Sequence, residues 1–117
     1  MRPEEQDLAY VWDMLEATKN VAQIMAGRSK DDWKGNLMLR MAVERGVEVV
    51  GEVARHVSKT YQKQHPEIPW RQIIGQRNIL AHEYGQIDHD RLFETATRDI
   101  PRLIELLSLL LPPVEES

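Results

Sequence analysis

The chain of 117 residues contains no cysteine. This excludes disulfide bridges and thiolate-bound metal sites, and it is compatible with a reducing compartment. Long hydrophobic runs are also missing, because the most apolar stretch, residues 103–111, is interrupted by Glu105 and Ser108 and is far too short to span a membrane. Residues 1–5 lead into a mixed amphipathic segment rather than a signal peptide. We therefore expect a soluble, cytoplasmic protein without a membrane partner.

An excess of positive charge is missing as well, because the formal net charge is −4. Proteins that coat nucleic acids nonspecifically are usually basic, so this balance counts mildly against RNA as a substrate. Arginines can still form a positive cleft within an acidic protein. The candidates are Arg40, Arg45, Arg55, Arg71 and Arg77. For each of them except Arg77, a position on a solvated helix face is the simpler interpretation.

Apolar residues recur every three or four positions along most of the chain, which predicts helices rather than strands. We expect one helix over residues 4–26, ended by Gly27, and a second over residues 36–63. Ser29, followed three residues later by Asp32, predicts a short capped turn between these two helices.

Two further helices are expected in the second half of the chain. The first begins with Pro69, which fits the opening position of a helix, and ends at Gly85. The second follows Asp88, a good N-cap residue, and stops at Pro112. Pro101 lies inside this last helix and should kink it, because proline has no backbone N–H to donate.

The predicted fold is therefore all-α: an antiparallel bundle of four main helices plus a short extra turn, in a single domain over residues 1–117. Residues 1–3 and 112–117 are expected to be frayed tails. Gly46 and Gly51 lie inside the second helix, where each costs about 1 kcal/mol relative to alanine. They would permit the close approach of another helix, the simpler interpretation, or of an RNA backbone.

Residues 76–85, with the sequence Gln-Arg-Asn-Ile-Leu-Ala-His-Glu-Tyr-Gly, hold most of the candidate chemistry. Asn78 and His82 are four residues apart and share one helix face, with Arg77 beside Asn78. Arg77 and Tyr84 also share a face if the helix extends that far. Arginine binds phosphate bidentately and histidine exchanges protons near neutral pH, so this group suits phosphate chemistry. The simpler alternative is a set of ordinary surface or capping residues at a helix end.

A metal site and a base-stacking surface are further possibilities. One candidate metal cluster straddles the glycine turn after the motif: His82, Asp88, His89 and Asp90. Its spacing matches neither a zinc-binding helix nor a di-iron bundle, so no metal is expected. The chain has three tryptophans that could stack on bases: Trp12, Trp33 and Trp70. They are scattered rather than arranged as a platform, which favours packing in the core or at an interface.

Arg77, His82 and Tyr84 reproduce the R-x-x-x-x-H-x-Y signature of HEPN-domain ribonucleases, and Asn78 is the polar residue that many of them carry after the arginine. Further segments agree in the same order, at residues 42–45, 48–54, 65–70 and 77–84. The chain most resembles the HepT-like toxins of HepT/MNT toxin–antitoxin pairs. The resemblance covers nearly the whole chain and is therefore more specific than the short motif.

This resemblance implies a metal-independent endoribonuclease, without a cofactor, that acts as the toxin of a type VII-like toxin–antitoxin pair. His82 would be the general acid or base and Arg77 would hold the scissile phosphate, with Asn78 and Tyr84 in supporting roles. The implied partner is a minimal nucleotidyltransferase (MNT) antitoxin, which can transfer AMP to the motif tyrosine, here Tyr84. The alternative function is a non-catalytic helical module that docks the nucleotidyltransferase.

The last helix carries more leucine than one core needs, because apolar residues cover most of its circumference over residues 103–111. This excess predicts burial against a second subunit. HEPN proteins are typically dimers whose two motifs face each other, so the resemblance implies a homodimer with the motif at its cleft. Two copies of His82 would then supply both an acid and a base.

Overall fold

The computed structural model describes residues 2–83, 85 and 87–112, and these residues form helices without a strand. In chain order the elements are α1 (Pro3–Met25), α2 (Lys30–Gly35), α3 (Leu37–Ala54), α4 (Lys59–Gln64), α5 (Trp70–His82), α6 (His89–Glu94), a π-helical turn (Thr95–Asp99) and α7 (Ile100–Leu110). Because α6, the π-turn and α7 run on without a break, the four main helical segments are α1, α3, α5 and residues 89–110. The predicted all-α bundle of four main helices is confirmed, with α2 and α4 as short additions.

The predicted length of the second helix, residues 36–63, was wrong, because the helix is interrupted between Ala54 and Lys59. Ser58 caps α4, where its hydroxyl accepts from the backbone N–H of Tyr61 at 3.1 Å. Both Ser58 donors point to α1: its N–H lies 2.8 Å from one Asp7 carboxylate oxygen and its hydroxyl 2.7 Å from the other. Asp7 is only 7% exposed. The buried Asp7 carboxylate therefore accepts the Ser58 backbone N–H at the point where the helix is interrupted.

The first predicted boundaries agree with the structure. Gly27 follows the end of α1 with a φ of +74°, a left-handed conformation that glycine adopts at low cost. Ser29 and Asp32 form the predicted capping box, with each side chain accepting from the other's backbone N–H at 3.0 and 2.8 Å. The backbone hydrogen bond from Ser29, helped by the Ser29 side chain, lowers the pKa of Asp32. Local sequence signals were sufficient here.

The core has two neighbouring clusters that share the helices of the bundle, with Ile104 of α7 packed against both. The first includes Val11 and Met14 of α1 together with Leu107 of α7. The second surrounds Trp33 of α2, which is almost completely buried and donates from its indole N–H to the His89 carbonyl at 3.0 Å. This bond ties α2 to the start of α6.

The last helical segment contains a π-helical turn just before Pro101. The N–H of Ile100 bonds to the carbonyl of Thr95, five residues earlier, as a π-turn requires. Such a turn is one way for a helix to pass a residue that lacks a donor, so the predicted disturbance at Pro101 takes this form. Thr95 is held by a 3.1 Å hydrogen bond from the Gln76 side-chain amide of α5.

The leucines of α7 are largely covered within the chain. Leu103 and Leu107 are buried, and Ile104, Leu106 and Leu110 are half-buried. Only Leu109 remains widely exposed, at 82%. The predicted apolar excess is therefore mostly accounted for by α1 and the rest of the core, although the expectation of a dimer itself stays a prediction.

The ends of the first and last helices differ slightly from the predicted ends. Helix α1 begins at Pro3, inside the predicted frayed segment, and α7 ends at Leu110, two residues before Pro112. The rest of the predicted C-terminal tail lies outside the described residues. Within the part of the chain that the structure describes, no helix is both long and apolar enough to cross a membrane.

Candidate active site

Helix α5 carries the motif and occupies nearly the predicted position. Pro69 is the residue before the first helical turn rather than its first member, so the predicted start was one residue early. The helix ends at His82, where the Glu83 N–H still donates to the Ile79 carbonyl at 2.8 Å, and the predicted end at Gly85 was three residues late. The motif histidine is therefore the last residue of α5.

Two glycines of α3 allow neighbouring helices to come close, Gly51 the helix α5 with Arg77 and Gly46 the helix α1. A Cβ on Gly51 would lie 2.8 Å from the Ile73 carbonyl oxygen and would also collide with the Cβ of Arg77. A Cβ on Gly46 would lie 2.6 Å from a methyl group of Val21 on α1. The simpler prediction for both glycines, the close approach of another helix, is confirmed. Gly51 therefore sets how near the Arg77 backbone lies to α3.

The Arg77 guanidinium is held from two sides. Its Nη2 lies 2.7 Å from Oε2 of Glu52 on α3, and its Nη1 donates to the Asn78 side-chain oxygen at 3.0 Å. The Arg77 side chain is only 17% exposed, whereas that of Glu52 is 38% exposed. Within the described residues, Arg77 Nε and Glu52 Oε2 are buried and lack an aligned hydrogen bond, so the 2.7 Å contact is a close ion pair. Incompletely satisfied buried groups of this kind are common at functional sites.

Glu52 is the centre of a small charged cluster. Besides Arg77, its carboxylate lies 3.1 Å from Nε of Arg55 and 3.4 Å from Nε2 of His56. Burial by itself would raise the pKa of Glu52, but the hydrogen bond and charge of Arg55, the charge of Arg77 and the contact with His56 together lower it. The imidazole of His56 in turn stacks on Tyr10, with ring centroids 5.6 Å apart. The carboxylate is therefore held in its charged form between two arginines.

His82 and Asn78 differ from Arg77 in their surroundings, because both side chains are exposed. The predicted pairing of Asn78 and His82 on one helix face holds, since both lie on regular turns of α5. Arg77 and His82 are five residues apart and so point about 140° apart around the axis. Within one chain, the Arg77 side chain therefore points toward α3 and the His82 side chain toward solvent.

Tyr84 lies outside the described residues. The predicted alignment of Tyr84 with Arg77 on one helix face falls outside them as well.

Of the other candidate arginines, Arg55 alone joins Arg77, through Glu52. Arg40 donates to the backbone carbonyls of Trp33 and Lys34 at 2.8 and 2.7 Å, which caps the end of α2. Arg45 pairs with Glu48 at 3.5 Å on the surface. The solvated or structural interpretation therefore fits these two arginines.

The residues of the candidate metal cluster are separated in the structure. His89 lies 3.7 Å from Glu44, Asp88 caps α6 through the Arg91 N–H at 3.1 Å, and Asp90 lies 4.0 Å from Lys30. Among the residues that the structure describes, no three His, Cys, Asp or Glu side chains are grouped as a metal site would require. The His82 side chain is exposed at the end of α5.

A groove of about 740 Å³ lies between α5 and the α6–α7 segment. Its lining includes Ile73, Gln76 and Ile79 of α5 with Thr95 and Leu103, but none of Arg77, Asn78 and His82. The groove therefore uses another side of α5 from the motif. Gln76, which precedes the motif arginine, connects α5 to the π-turn in this groove by its hydrogen bond to Thr95.

Exposed apolar side chains gather at the beginning of α3. Leu37, Met38 and Met41 are all more than half exposed, with Met38 at 82%. Helical spacing aligns Met38 and Met41 with Arg45 and Glu52 on one face of α3. On this face the charged pair Arg45–Glu48 lies between the methionines and the cluster that holds Arg77.

Glu52 is the residue of this site that the sequence did not reveal. In the sequence it lies within residues 48–54, one of the segments that resemble the family, and no role was predicted for it. The only available signal was its place directly after Gly51, because a glycine inside a helix often marks the close approach of another element.

Comparison with known proteins agrees with the motif. The family model described as "Ribonuclease HepT-like" matches residues 14–110. A protein of Methanocaldococcus jannaschii named "Putative RNase MJ1380" is 32% identical over 95 residues, which cover 81% of this chain and 87% of that protein. "Probable ribonuclease HepT" of Thermococcus cleftensis is 31% identical over 94 residues, which cover 80% and 86% of the two chains. No solved structure matches the chain.

Proposed function

Because this chain belongs to the HepT-like ribonuclease family, we propose that it is an RNA endonuclease that works without a metal ion, with Arg77 and His82 as its catalytic residues. The observation that carries the proposal is the end of α5. There an arginine held by Glu52 and Asn78 precedes an exposed histidine by little more than one helical turn. The same activity is supported by the relatives, since both are named as ribonucleases.

The proposed reaction is a transfer of the phosphate ester within the RNA. A histidine takes the proton of a ribose 2′-hydroxyl, the 2′-oxygen attacks the adjacent phosphorus, and the bond to the 5′-oxygen breaks as that oxygen receives a proton. The products are a 2′,3′-cyclic phosphate end and a 5′-hydroxyl end. Arg77 binds the phosphate and stabilises the extra negative charge of the transition state. Asn78 has a supporting role, since its side-chain oxygen already orients the guanidinium.

We propose that two chains act together as a homodimer with both motifs at one cleft. One exposed His82 cannot easily act as both acid and base in the same turnover, whereas two copies can. The exposed Met38 and Met41, which share a face of α3 with Glu52, support an interface on this face of α3 rather than along α7.

The interface can be tested with two matched variants. Met38 and Leu109 are each 82% exposed, one on α3 and the other on α7. Met38→Ser should shift the molecular mass measured by light scattering toward the monomer and reduce RNA cleavage, while Leu109→Ser should leave both unchanged. The reverse pattern would return the interface to α7.

The resemblance to HepT/MNT pairs supports a finer proposal, in which the enzyme is the toxin of a type VII-like pair. Its antitoxin would be an MNT-type nucleotidyltransferase that transfers AMP from ATP to the hydroxyl of Tyr84 and releases pyrophosphate. The added phosphate would bring negative charge and bulk near Arg77 and so exclude RNA. Incubation with the partner and ATP should add the mass of one AMP to a peptide that contains Tyr84. An unmodified peptide with inhibited cleavage would mean that complex formation alone neutralises the toxin.

The decisive experiment compares RNA cleavage by wild type, His82→Ala and Arg77→Ala in EDTA, followed by analysis of the RNA ends. We expect both variants to lose at least about 100-fold in rate, since each removes one catalytic function. His89→Ala is the control, because it removes an exposed histidine that contacts Glu44 rather than the motif. Equal cleavage by wild type and His82→Ala would contradict the proposal and favour a non-catalytic module that docks the nucleotidyltransferase.

A further inference from the structure

We infer that Glu52 is a positioning residue for RNA cleavage: its carboxylate holds the Arg77 guanidinium against α3 and moderates the positive charge that the phosphate meets. This inference rests on the proposed function, because it gives Arg77 the task of binding the scissile phosphate. The observation that carries it is the 2.7 Å contact between Glu52 Oε2 and Arg77 Nη2.

Among the arginine ion pairs of the residues that the structure describes, this one has the least exposed arginine. The pairs Arg45–Glu48 and Arg91–Glu94 each join residues of one helix, and their arginines are 73% and 61% exposed. Arg77 is only 17% exposed and reaches Glu52 on another helix. A partly buried pair is screened less by water and salt than a surface pair. Glu52 can therefore fix the position of Arg77, whereas a surface pair would contribute little.

The geometry around Glu52 leaves it little freedom. Arg55 and His56, in the turn that follows α3, hold the carboxylate at 3.1 and 3.4 Å. On the other side, Gly51 lets the Arg77 stem lie directly against α3. The guanidinium is then limited by Glu52 at one terminal nitrogen and by Asn78 at the other. Such preorganisation lowers the barrier only if the arginine is in place before the substrate arrives.

The same carboxylate also opposes phosphate binding, because its negative charge lies next to the cation. Removing that charge while keeping the side-chain shape, as in Glu52→Gln, should therefore have two opposite effects. The KM for RNA should fall by about threefold, since one repulsive charge next to the guanidinium that binds the phosphate disappears in a water-like environment. The kcat should fall by about tenfold, since the guanidinium is free to shift by a fraction of an ångström. A loss of folded protein would lower kcat without lowering KM.

Steady-state cleavage of a short single-stranded RNA by the full chain tests the inference. Glu94→Gln is the matched control, because it removes a carboxylate from an exposed i,i+3 pair with Arg91 and should change neither constant by more than about twofold. In an Arg77→Lys background the effect of Glu52→Gln on kcat should shrink to less than about twofold, since lysine cannot keep the same two-sided contact.

The possible results separate this inference from the proposed function. A Glu52→Gln enzyme with unchanged kcat, while Arg77→Ala and His82→Ala are inactive, would overturn the role of Glu52 and leave the ribonuclease intact. A kcat loss that persists fully in the Arg77→Lys background would also overturn it, because Glu52 would then act through another group. Full activity of His82→Ala and Arg77→Ala would instead overturn the proposed function.

Discussion

Substitution of Gly51 by alanine tests whether the close approach of α3 and α5 positions the site. The new Cβ would meet the Ile73 carbonyl oxygen at 2.8 Å and the Cβ of Arg77. Neither atom belongs to the far end of a flexible side chain, so the contact cannot be relieved by a rotamer change. The two helices must move apart, and Arg77 moves away from Glu52 with them.

The net effect on stability follows from two opposing contributions. Overpacking between well-packed elements costs about 1–3 kcal/mol. Alanine is favoured over glycine inside a helix by about 1 kcal/mol. We therefore expect Gly51→Ala to lower the free energy of unfolding by up to about 2 kcal/mol. Cleavage should fall by about 10- to 100-fold at a temperature where the variant remains folded, because in the proposed mechanism the displaced guanidinium would no longer meet the phosphate correctly.

Two other glycines provide the controls for this experiment. Gly75 is inside α5, and a Cβ there would meet nothing within 4 Å. Gly75→Ala should raise the free energy of unfolding by about 0.5–1 kcal/mol. At Gly46 the obstacle is one methyl of Val21, which is completely buried, so Gly46→Ala should destabilise the fold without lowering kcat. Urea unfolding and RNA cleavage are measured for all three. If Gly51→Ala were stabilised as much as Gly75→Ala, the inferred close approach of α3 and α5 would be wrong.

Two further predictions concern carboxylates. Asp7→Ala should lower the free energy of unfolding by about 1–3 kcal/mol, because two Ser58 donors lose their acceptor, whereas alanine at the exposed Asp13 should have little effect in the same urea titration. The pKa of Glu52 is lowered in the folded state, so its pairing stabilises the protein above the ordinary pKa of 4.5, and this contribution is lost as the pH falls through the folded-state value. The stability difference between wild type and Glu52→Gln should therefore shrink on acidification, and a difference that grows instead would contradict the pairing.

Much of the fold could be predicted because its signals are local. The spacing of apolar residues predicted the helices, and Gly27 and the pair Ser29–Asp32 predicted the first boundaries. The motif indicated the family. The break after Ala54 could not be predicted in this way, because Ser58 is held by Asp7, which is 51 residues away along the chain. The helical spacing of apolar residues continues through residues 55–58, so it does not reveal the contact with Asp7.

The candidate site was predictable only in part, for a related reason. Arg77 and His82 are in the motif, but the orientation of Arg77 depends on a glycine and a glutamate of another helix. In the sequence, Glu52 resembles any other acidic residue on a polar face. Its importance arises from packing, since Gly51 brings α5 near enough for the 2.7 Å contact.

The arrangement of charge also explains how an acidic chain can act on RNA. With a net charge of −4, the protein as a whole repels a polyanion rather than attracting it over long distances. Binding must then come from short-range contacts, and at the cluster two arginines, Arg55 and Arg77, oppose the single carboxylate of Glu52. The surplus of positive charge is small and partly buried, so in the proposed mechanism it would act only on a phosphate that has entered the site. A second subunit would bring another such cluster to the same RNA. For this enzyme, assembly would therefore raise the local positive charge as well as supply a second histidine.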